Sequence, residues 1–412
     1  MPMVFGKMYP APLTLTALGV LGCAGGEEPP EVTFEARDSA GVEIISSGPV
    51  DLQKTGPWTV GDLLLEIPEG DGDSPPFSSI RDAVPLPDGR IAASGNRSWQ
   101  IWVFAPDGKH ESTFTEIGEP PLEFKGPPML ALSPPDTLVV WDPGRYRLVW
   151  MSVQGAVYRQ RDLAEAASAL SHRFATEAFV WQLHREGSVL YDGMGRVTSS
   201  GEGLYETERR IILFDADRAE VLDFGTVVGL RGFEIENFGI LDPFSPAVSV
   251  APGPDPFRVA LSSPEDREIR FYSSDGTLLR ILRVPIPRTP VTPEVRQARR
   301  AFLEHWARRL RRLTPRDAAI MDEGMPVPDS LPAVGKLHRG ADDNLWVGRR
   351  TTGDREIEYY DVFDPGGRWL STVHTPSPLG RIVYIGEDLL LTVPHQAGGS
   401  SLCIYGLRKS GN

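Results

Sequence analysis

Residues 80–114 read IRDAVPLPDGRIAASGNRSWQIWVFAPDGKHESTF, and the reading of this stretch decides the fold. An apolar run, Ala83-Val84-Pro85-Leu86, meets a turn at Pro87-Asp88-Gly89. A strand follows from Arg90 to Ala93, then a polar loop from Gly95 to Ser98 and a third strand, Gln100-Ile101-Trp102-Val103-Phe104. A second turn, Pro106-Asp107-Gly108, leads into a last strand from Lys109 to Phe114. Asp-Gly between apolar runs supplies the backbone freedom that tight hairpins need. The stretch therefore predicts a four-stranded antiparallel meander.

The unit recurs along the chain, and a recurring unit outranks any single element as evidence for architecture. The second copy has Leu130-Ala131-Leu132, Leu138-Val139-Val140-Trp141, Leu148-Val149-Trp150-Met151 and the turn Gln154-Gly155. A third starts at Phe179 and carries Val189-Leu190-Tyr191, a long loop, and Ile211-Ile212-Leu213-Phe214. The fourth has Val248-Ser249-Val250, Phe257 to Leu261, Ile269-Arg270-Phe271-Tyr272 and Asp275-Gly276. The fifth has Gly335-Lys336-Leu337, Leu345-Trp346-Val347, Tyr360-Asp361-Val362-Phe363 and Gly366-Gly367. The sixth has Ile382-Val383-Tyr384, Leu389-Leu390-Leu391 and Leu402-Cys403-Ile404-Tyr405, only three strands. The segment from Trp58 to Ile67 is left over and can supply the missing outermost strand. Six such units arranged radially make an all-β, six-bladed β-propeller of four-stranded antiparallel blades, its ring closed by an N-terminal strand. A pair of β-sandwiches accounts less well for the constant phase of the third strands.

Two helical insertions interrupt the pattern. Asp162 can cap a short helix from Leu163 to Ser171, and Thr292-Pro293-Glu294 opens a longer one through Leu313, within an insertion of about 292–322. In the longer helix Val295, Ala298, Phe302, Trp306, Leu310 and Leu313 form one apolar face. Arg296, Arg299, Arg300, Arg308, Arg309, Arg311 and Arg312 form the other. Such a helix can lie on a membrane or on a partner. Packing across the propeller, with its arginines paired to an acidic body, is the reading favoured here.

The 412 residues include 42 Gly and 38 Pro, roughly a fifth of the chain against about 12% in ordinary proteins, as a turn-rich fold requires. The net charge of −14 argues against nucleic acid as a partner, because phosphate affinity comes from clustered Lys and Arg. At the N-terminus, Lys7 precedes an apolar run from Leu13 through Leu21 that is too short to span a bilayer and has the parts of a secretory signal. Its end, Val20-Leu21-Gly22-Cys23, resembles a bacterial lipobox. That resemblance implies a signal peptide over 1–22, a lipid on Cys23, and, with no Asp after the Cys, an outer-membrane destination facing the periplasm. Residues 23–36 then read as a flexible tether and 37–412 as a single propeller domain. The only other thiol, Cys403, lies in an apolar strand and reads as a small buried hydrophobe.

Four stretches carry a family resemblance: residues 37–44 (RDSAGVEI), 81–91 (RDAVPLPDGRI), 345–347 (LWV) and 362–370 (VFDPGGRWL). With them the mature chain resembles the bacterial exported six-bladed β-propellers related to NHL-repeat and TolB-like proteins, many of them lipoproteins. The resemblance specifies fold far more than chemistry.

A propeller binds where the loops between second and third strands, and between blades, converge over the central channel. Those loops offer Asn96, Arg97, Asp142, Arg145, Tyr146, Asp192, Arg196, Arg349, Arg350 and His395, joined by Arg81 and Asp82 at the entrance of the first inner strand. Guanidinium forks suit carboxylate or phosphate groups. His184 and His338, at inner-strand phase, are the histidine pair that can meet at the channel. No ring of carboxylate, Asn or His recurs at matching blade phases, and no nucleophile elbow, phosphate loop or zincin motif is present. Glu69-Gly70-Asp71-Gly72-Asp73 alternates carboxylates but lacks the rest of a calcium loop, so neither calcium nor another cofactor is expected, and no catalytic or metal-ligating residue is assigned. The sequence thus points to a lipid-anchored envelope propeller that binds a small anionic molecule, a peptide or an envelope protein, with the membrane reached through Cys23. The alternative is a metal-dependent hydrolase or lyase, lactonase-like or peptidyl-lyase-like, with its site at the channel. A purely structural envelope protein that works through the basic helix is the third possibility.

Overall fold

The outer hairpins show the repeat most plainly. Their turns hold Gly108, Gly155, Gly276 and Gly367 at φ between 83° and 95°, where any other residue is strained. The pair flanking each turn is Phe104↔His110, Met151↔Val157, Tyr272↔Leu278 or Phe363↔Trp369, and each hairpin shifts register by a bulge at this place. One local solution has been used four times.

The computed structural model describes residues 34–48, 56–68, 79–114, 123–168, 178–196, 203–215, 220–235, 238–246, 248–263, 267–310, 313–351, 359–376, 379–394 and 401–409. All belong to the unit spanning Val32–Asn412. The lipidation candidate Cys23, the signal segment, the acidic run 69–73 and His395 lie outside the described residues.

The chain first forms β1 (Phe34–Ser39), β2 (Val42–Ser47) and β3 (Trp58–Ile67). A four-stranded antiparallel sheet follows from β4 (Ile80–Pro85), β5 (Ile91–Gly95), β6 (Ile101–Phe104) and β7 (His110–Thr113). The next consists of β8 (Met129–Ser133), β9 (Thr137–Asp142), β10 (Arg147–Ser152) and β11 (Val157–Asp162), and ends in a short helix α1 (Ala164–Ser168). The Asp162 carboxylate accepts from the Ala164 N–H at 2.8 Å, which caps α1 as the sequence suggests. Then come β12 (Ala178–Leu183), β13 (Ser188–Arg196), β14 (Gly203–Asp215), β15 (Glu220–Ile235) and β16 (Phe238–Leu241) in one sheet. A fourth run contains β17 (Val250–Pro252), β18 (Val259–Ser263), β19 (Glu268–Tyr272) and β20 (Leu278–Arg283). After two helices, α2 (Pro293–Leu310) and α3 (Pro315–Gly324), the chain continues through β21 (Val334–Arg339), β22 (Leu345–Arg349), β23 (Tyr359–Phe363) and β24 (Trp369–His374). It finishes with β25 (Arg381–Ile385), β26 (Leu389–Val393) and β27 (Leu402–Arg408).

Strand alternation gives each sheet two buried faces. Ala92 and Val103 pack with Leu130, Val140 and Val149 of the next sheet, while Ala93, Trp102 and Phe104 turn the other way, toward Leu391, Val393 and Ile404. Every core cluster between sheets follows this rule. The β8–β11 sheet shares Trp141 and Trp150 with Tyr191 and Phe214 of the third sheet. The third packs on the fourth through Leu190, Leu213, Val250 and Val259, and the fourth on the fifth through Ala260, Leu282, Leu345 and Phe363. Trp346 and Val362 meet Ile382 and Leu390, and the last contact returns to the β4–β7 sheet. The molecule is all-β and propeller-like, with burial passing from each sheet to the next.

β3 lies antiparallel to β27, from Leu402↔Ile67 to Arg408↔Thr59, and also touches β24 in parallel through Val373↔Trp58 and His374↔Thr59. The Trp58 N–H donates to Ser371 Oγ at 2.9 Å. β2 runs parallel to β20, with β1 folded back on it, so the expected tether to residue 36 stops short: residues 34–36 already belong to β1.

Two further expectations need correction. Much of the long loop of the third unit is strand, because β13 and β14 extend past their neighbours with Tyr205 and Thr207 turned inward and Glu206 and Glu208 outward. Gly232 and Gly239 make room for Tyr205; a Cβ at Gly232 would lie 2.5 Å from its hydroxyl. The long helix is also two helices. Thr314 precedes Pro315 and adopts extended geometry (φ −97°, ψ 165°), where it forms a capping box with Asp317 that starts α3. The buried stripe of α2 runs through Arg299, Leu303 and Ala307, leaving Trp306 exposed. Arg299, expected on the outer basic face, is 1% exposed, stacks on Phe244 and faces Asp242 at 3.5 Å and Asp322 at 3.4 Å. Its burial turns part of the basic face into an internal ion pair, while Arg308 stays exposed beside Glu304.

Candidate functional site

The first strands of the six runs, β4, β8, β12, β17, β21 and β25, line one cavity of about 660 Å³. Its wall contains Arg81, Asp82, His184, Arg185, Asp192, Arg209, Lys336, His338, Arg339, Arg350 and Arg381. Cations outnumber carboxylates there although the chain as a whole is acidic. A first strand buried on both faces against its neighbours still has one end free to project polar groups toward the axis, and the repeat places those ends together.

Two of the carboxylates are already engaged. Asp82 is 9% exposed and accepts from the Ala83 N–H at 3.0 Å and the Leu130 N–H at 3.1 Å, one per oxygen. Burial pushes its carboxyl up to about 6 against the pull of the Leu130 amide, Arg381 and Arg81. Asp192 accepts from Arg209 Nε at 2.8 Å and from a second guanidinium nitrogen of the same residue. Burial lowers Arg209 to about 10.

Arg81, Lys336 and Arg381 differ from these. They stand near the starts of β4, β21 and β25, strands of three consecutive runs, and no carboxylate among the described residues lies within ion-pair distance of them. Arg381 donates to the Ile80 carbonyl at 2.8 Å, and Arg81 points to Met129 Sδ at 3.7 Å. The Lys336 side chain is open to the cavity solvent but walled by protein. That burial, and then the charges of Arg381 and Arg81, lower its ammonium to about 8. His338, two residues on in the same strand, is held well below its ordinary value by burial, Lys336 and Arg381, so it is neutral at physiological pH. Its ring meets Tyr360 edge-on at 5.8 Å.

Elsewhere in the cavity wall a side-chain clamp holds two turns together. Arg185 donates to both Asp343 oxygens, at 2.9 and 2.5 Å, and to the Ala341 carbonyl at 2.8 Å. His184 Nε2 sits 3.2 Å from the same carboxylate. His184 and His338 therefore both reach the cavity, but His184 serves this clamp.

Of the sequence candidates, the structure brings Arg81, Asp82, Asp192 and Arg350 to the cavity. Arg350 donates to the Pro243 carbonyl at 2.5 Å and the Ser245 carbonyl at 3.3 Å, bracing the wall. The remaining loop candidates whose side chains are described do not line it. Asn96 and Arg97 are exposed on the β5–β6 turn. Asp142 is fully buried and accepts from the Lys125 and Gly144 amides and from Arg147 at 3.4 Å, fixing the loop before β8. Arg145 pairs with Glu123 at 3.2 Å, and Tyr146 packs on Trp141 and Phe214. Arg349 grips the buried Asp361 with two bonds of 2.5 Å. The backbone of Arg196 ends β13, and its side chain lies outside the described residues. Lys336, Arg381 and Arg339 stand on first strands, whose sequence reads as core, whereas Arg185 lies in the β12–β13 turn and Arg209 on β14. Among the described residues, no three His, Cys, Asp or Glu side chains gather closely enough to share a metal ion.

No protein-family model matches the chain, and no curated protein sequence matches it. Solved structures similar to it include a putative exported protein from Bacteroides fragilis, at 12% identity over 89% of this chain and 99% of that one, with a TM-score of 0.37. A calcium-binding protein, regucalcin, from Agrobacterium tumefaciens is similar at 11% identity over 86% and 96%, with a TM-score of 0.35. Virginiamycin B lyase from Staphylococcus aureus is similar at 12% identity over 79% and 80%, again with a TM-score of 0.35. Likeness at this level says nothing about the residues that line the cavity.

Proposed function

We propose that the chain is an exported, lipid-anchored six-bladed propeller that binds a small anionic molecule in its central cavity. In this reading the six meanders are the blades, β3 completes the last of them, and Cys23 carries the lipid that holds the protein to the envelope, at the outer membrane. The observation that carries the binding function is the trio Arg81, Lys336 and Arg381: three cations from three strands around one cavity, none within ion-pair distance of a carboxylate among the described residues, with Asp82 acting on the two arginines from farther away. Buried or walled charge without a partner is costly, so such a cluster is retained where a ligand supplies the missing charge. The chemistry suits a carboxylate or phosphate group, since guanidinium forks give two parallel hydrogen bonds and the ammonium a point charge. The same cluster repels a divalent cation, which places binding of an anion ahead of metal-dependent hydrolysis or lysis and leaves the protein without a cofactor.

Isothermal titration of the purified protein with inorganic phosphate and with citrate tests the reading. Saturable binding that weakens at least tenfold in R381Q, and that glucose does not reproduce, is the expected result. Equal affinity in wild type and R381Q overturns it.

A further inference from the structure

We infer that Lys336 is a nucleophilic amine placed to form an imine with a small carbonyl compound that bears a carboxylate, a 2-oxo acid being the simplest. The inference rests on the anion-binding reading above and assigns to one of its cations a covalent role.

The argument begins with what surrounds the amine. Lys336 projects from β21 into the cavity, and the charged and titratable groups that act on it are Arg81 of β4, Arg381 of β25 and His338 of its own strand. Asp82 is the carboxylate of the same neighbourhood, and both its oxygens are engaged by backbone amides. A lysine that served only as a structural cation would be paired; this one faces two guanidiniums. Lys336 is open to the cavity solvent, so it is the enclosing cavity wall together with the two neighbouring guanidiniums that favours the neutral, nucleophilic amine. An amine titrating at about 8 is roughly one-fifth neutral at about pH 7.4, against about one part in a thousand for an ordinary lysine.

The neighbours also fit the rest of the substrate. Arg81 and Arg381 offer donors to the carboxylate, which sets the adjacent carbonyl carbon toward the amine. The neutral amine lone pair attacks that carbon, a C–N bond forms, and the carbonyl oxygen gains a proton as the nitrogen loses one. The hydroxyl then takes up a second proton and leaves as water while the C=N bond forms. His338, neutral and lining the same cavity, is the group at hand to relay those protons. The step is reversible and needs no oxidant or reductant.

The test treats the purified full chain with pyruvate and sodium cyanoborohydride, which reduces an imine to a stable secondary amine, and follows modification of each lysine by peptide mass spectrometry. Lys109, whose side chain is 83% exposed, is the internal reference. We expect the Lys336 peptide to be modified at least tenfold faster than the Lys109 peptide, at a rate that saturates with pyruvate and is suppressed by phosphate. In K336R the fast site should vanish. Modification of Lys336 no faster than Lys109 overturns the covalent role, and phosphate titration of the same preparation separates the two failures: phosphate that binds while trapping fails leaves the anion site standing. Fast trapping that phosphate does not suppress, in a protein that binds no phosphate, overturns both the anion site and the carboxylate-directed form of the inference.

Discussion

Arg185 and Asp343 meet fork to fork, with nitrogen–oxygen distances of 2.9 and 2.5 Å, and so join the β12–β13 turn to the β21–β22 turn across a full intervening sheet of the chain. Asp343 holds φ at 61°, a conformation that Asp and Asn tolerate and Ala does not. D343N keeps the backbone but removes the charge, and should cost about 1–2 kcal/mol; D343A should cost about 2–3 kcal/mol. Urea unfolding of the two variants checks this; a D343N variant as stable as wild type would show that the position contributes only through its backbone.

Arg349 and Asp361 form a structural pair rather than a ligand contact. Asp361 is fully buried and also accepts from Thr372 Oγ1 at 2.7 Å. R349M strands that carboxylate and should destabilise the protein by about 3–5 kcal/mol. Phosphate affinity of the folded fraction should stay within about twofold of wild type, in contrast to R381Q.

Anion affinity should fall in two steps as pH rises. Asp82 loses its proton through about pH 6 and adds a negative charge to the cavity, and Lys336 loses its proton through about pH 8 and removes a positive one. Titrations from pH 5 to pH 9 should show both steps; D82N should abolish the lower and K336M the upper.

The same two groups act against stability when the cavity is empty. Asp82 has a raised value, so between the ordinary 3.8 and about 6 the folded state holds more protons than the unfolded state, and its contribution declines as pH rises through that window. Lys336 has a lowered value, so between about 8 and the ordinary 10.5 the folded state holds fewer protons and its contribution improves with pH. At neutral pH Lys336 is charged at a cost. K336M should therefore stabilise the ligand-free protein by about 1 kcal/mol, a figure discounted for the water that reaches the ammonium. A lower denaturation midpoint in K336M would contradict this.

Trp58 binds the N-terminal strand to the fifth sheet, with its ring 6.2 Å from Trp346 and its amide on Ser371. W58A should cost about 3–5 kcal/mol, and limited proteolysis should then cut first around β3 and β27.

The repeat was legible because its grammar is local: an Asp-Gly turn, a strand buried on both faces, a second turn at fixed distance. The pairing of residues 58–67 with the last unit could be anticipated for the same reason, since one unit lacked a strand and one strand lacked a unit. The site was harder. Loop arginines look available in sequence, yet Arg349 and Arg145 are spent on nearby carboxylates that only the fold brings close. Lys336 and Arg381, like Arg81, stand near the start of a first strand, a position where a cation in the sequence marks the cavity wall. Arg299 was misplaced because helical periodicity assigns faces by hydropathy, and a guanidinium between Asp242 and Asp322 defies that assignment.

The pairing of β3 with β27 orders events in time. β3 is made early, but its partner β27 lies at the far end of the described residues, so until β27 is synthesised Leu63, Leu64 and Leu65 wait without that neighbour. Long-range closure of this kind is slow, and an unpaired apolar edge invites association with other chains. The protein is most vulnerable just before it is finished, and a holdase that shields residues 58–67 would protect it when it matters most.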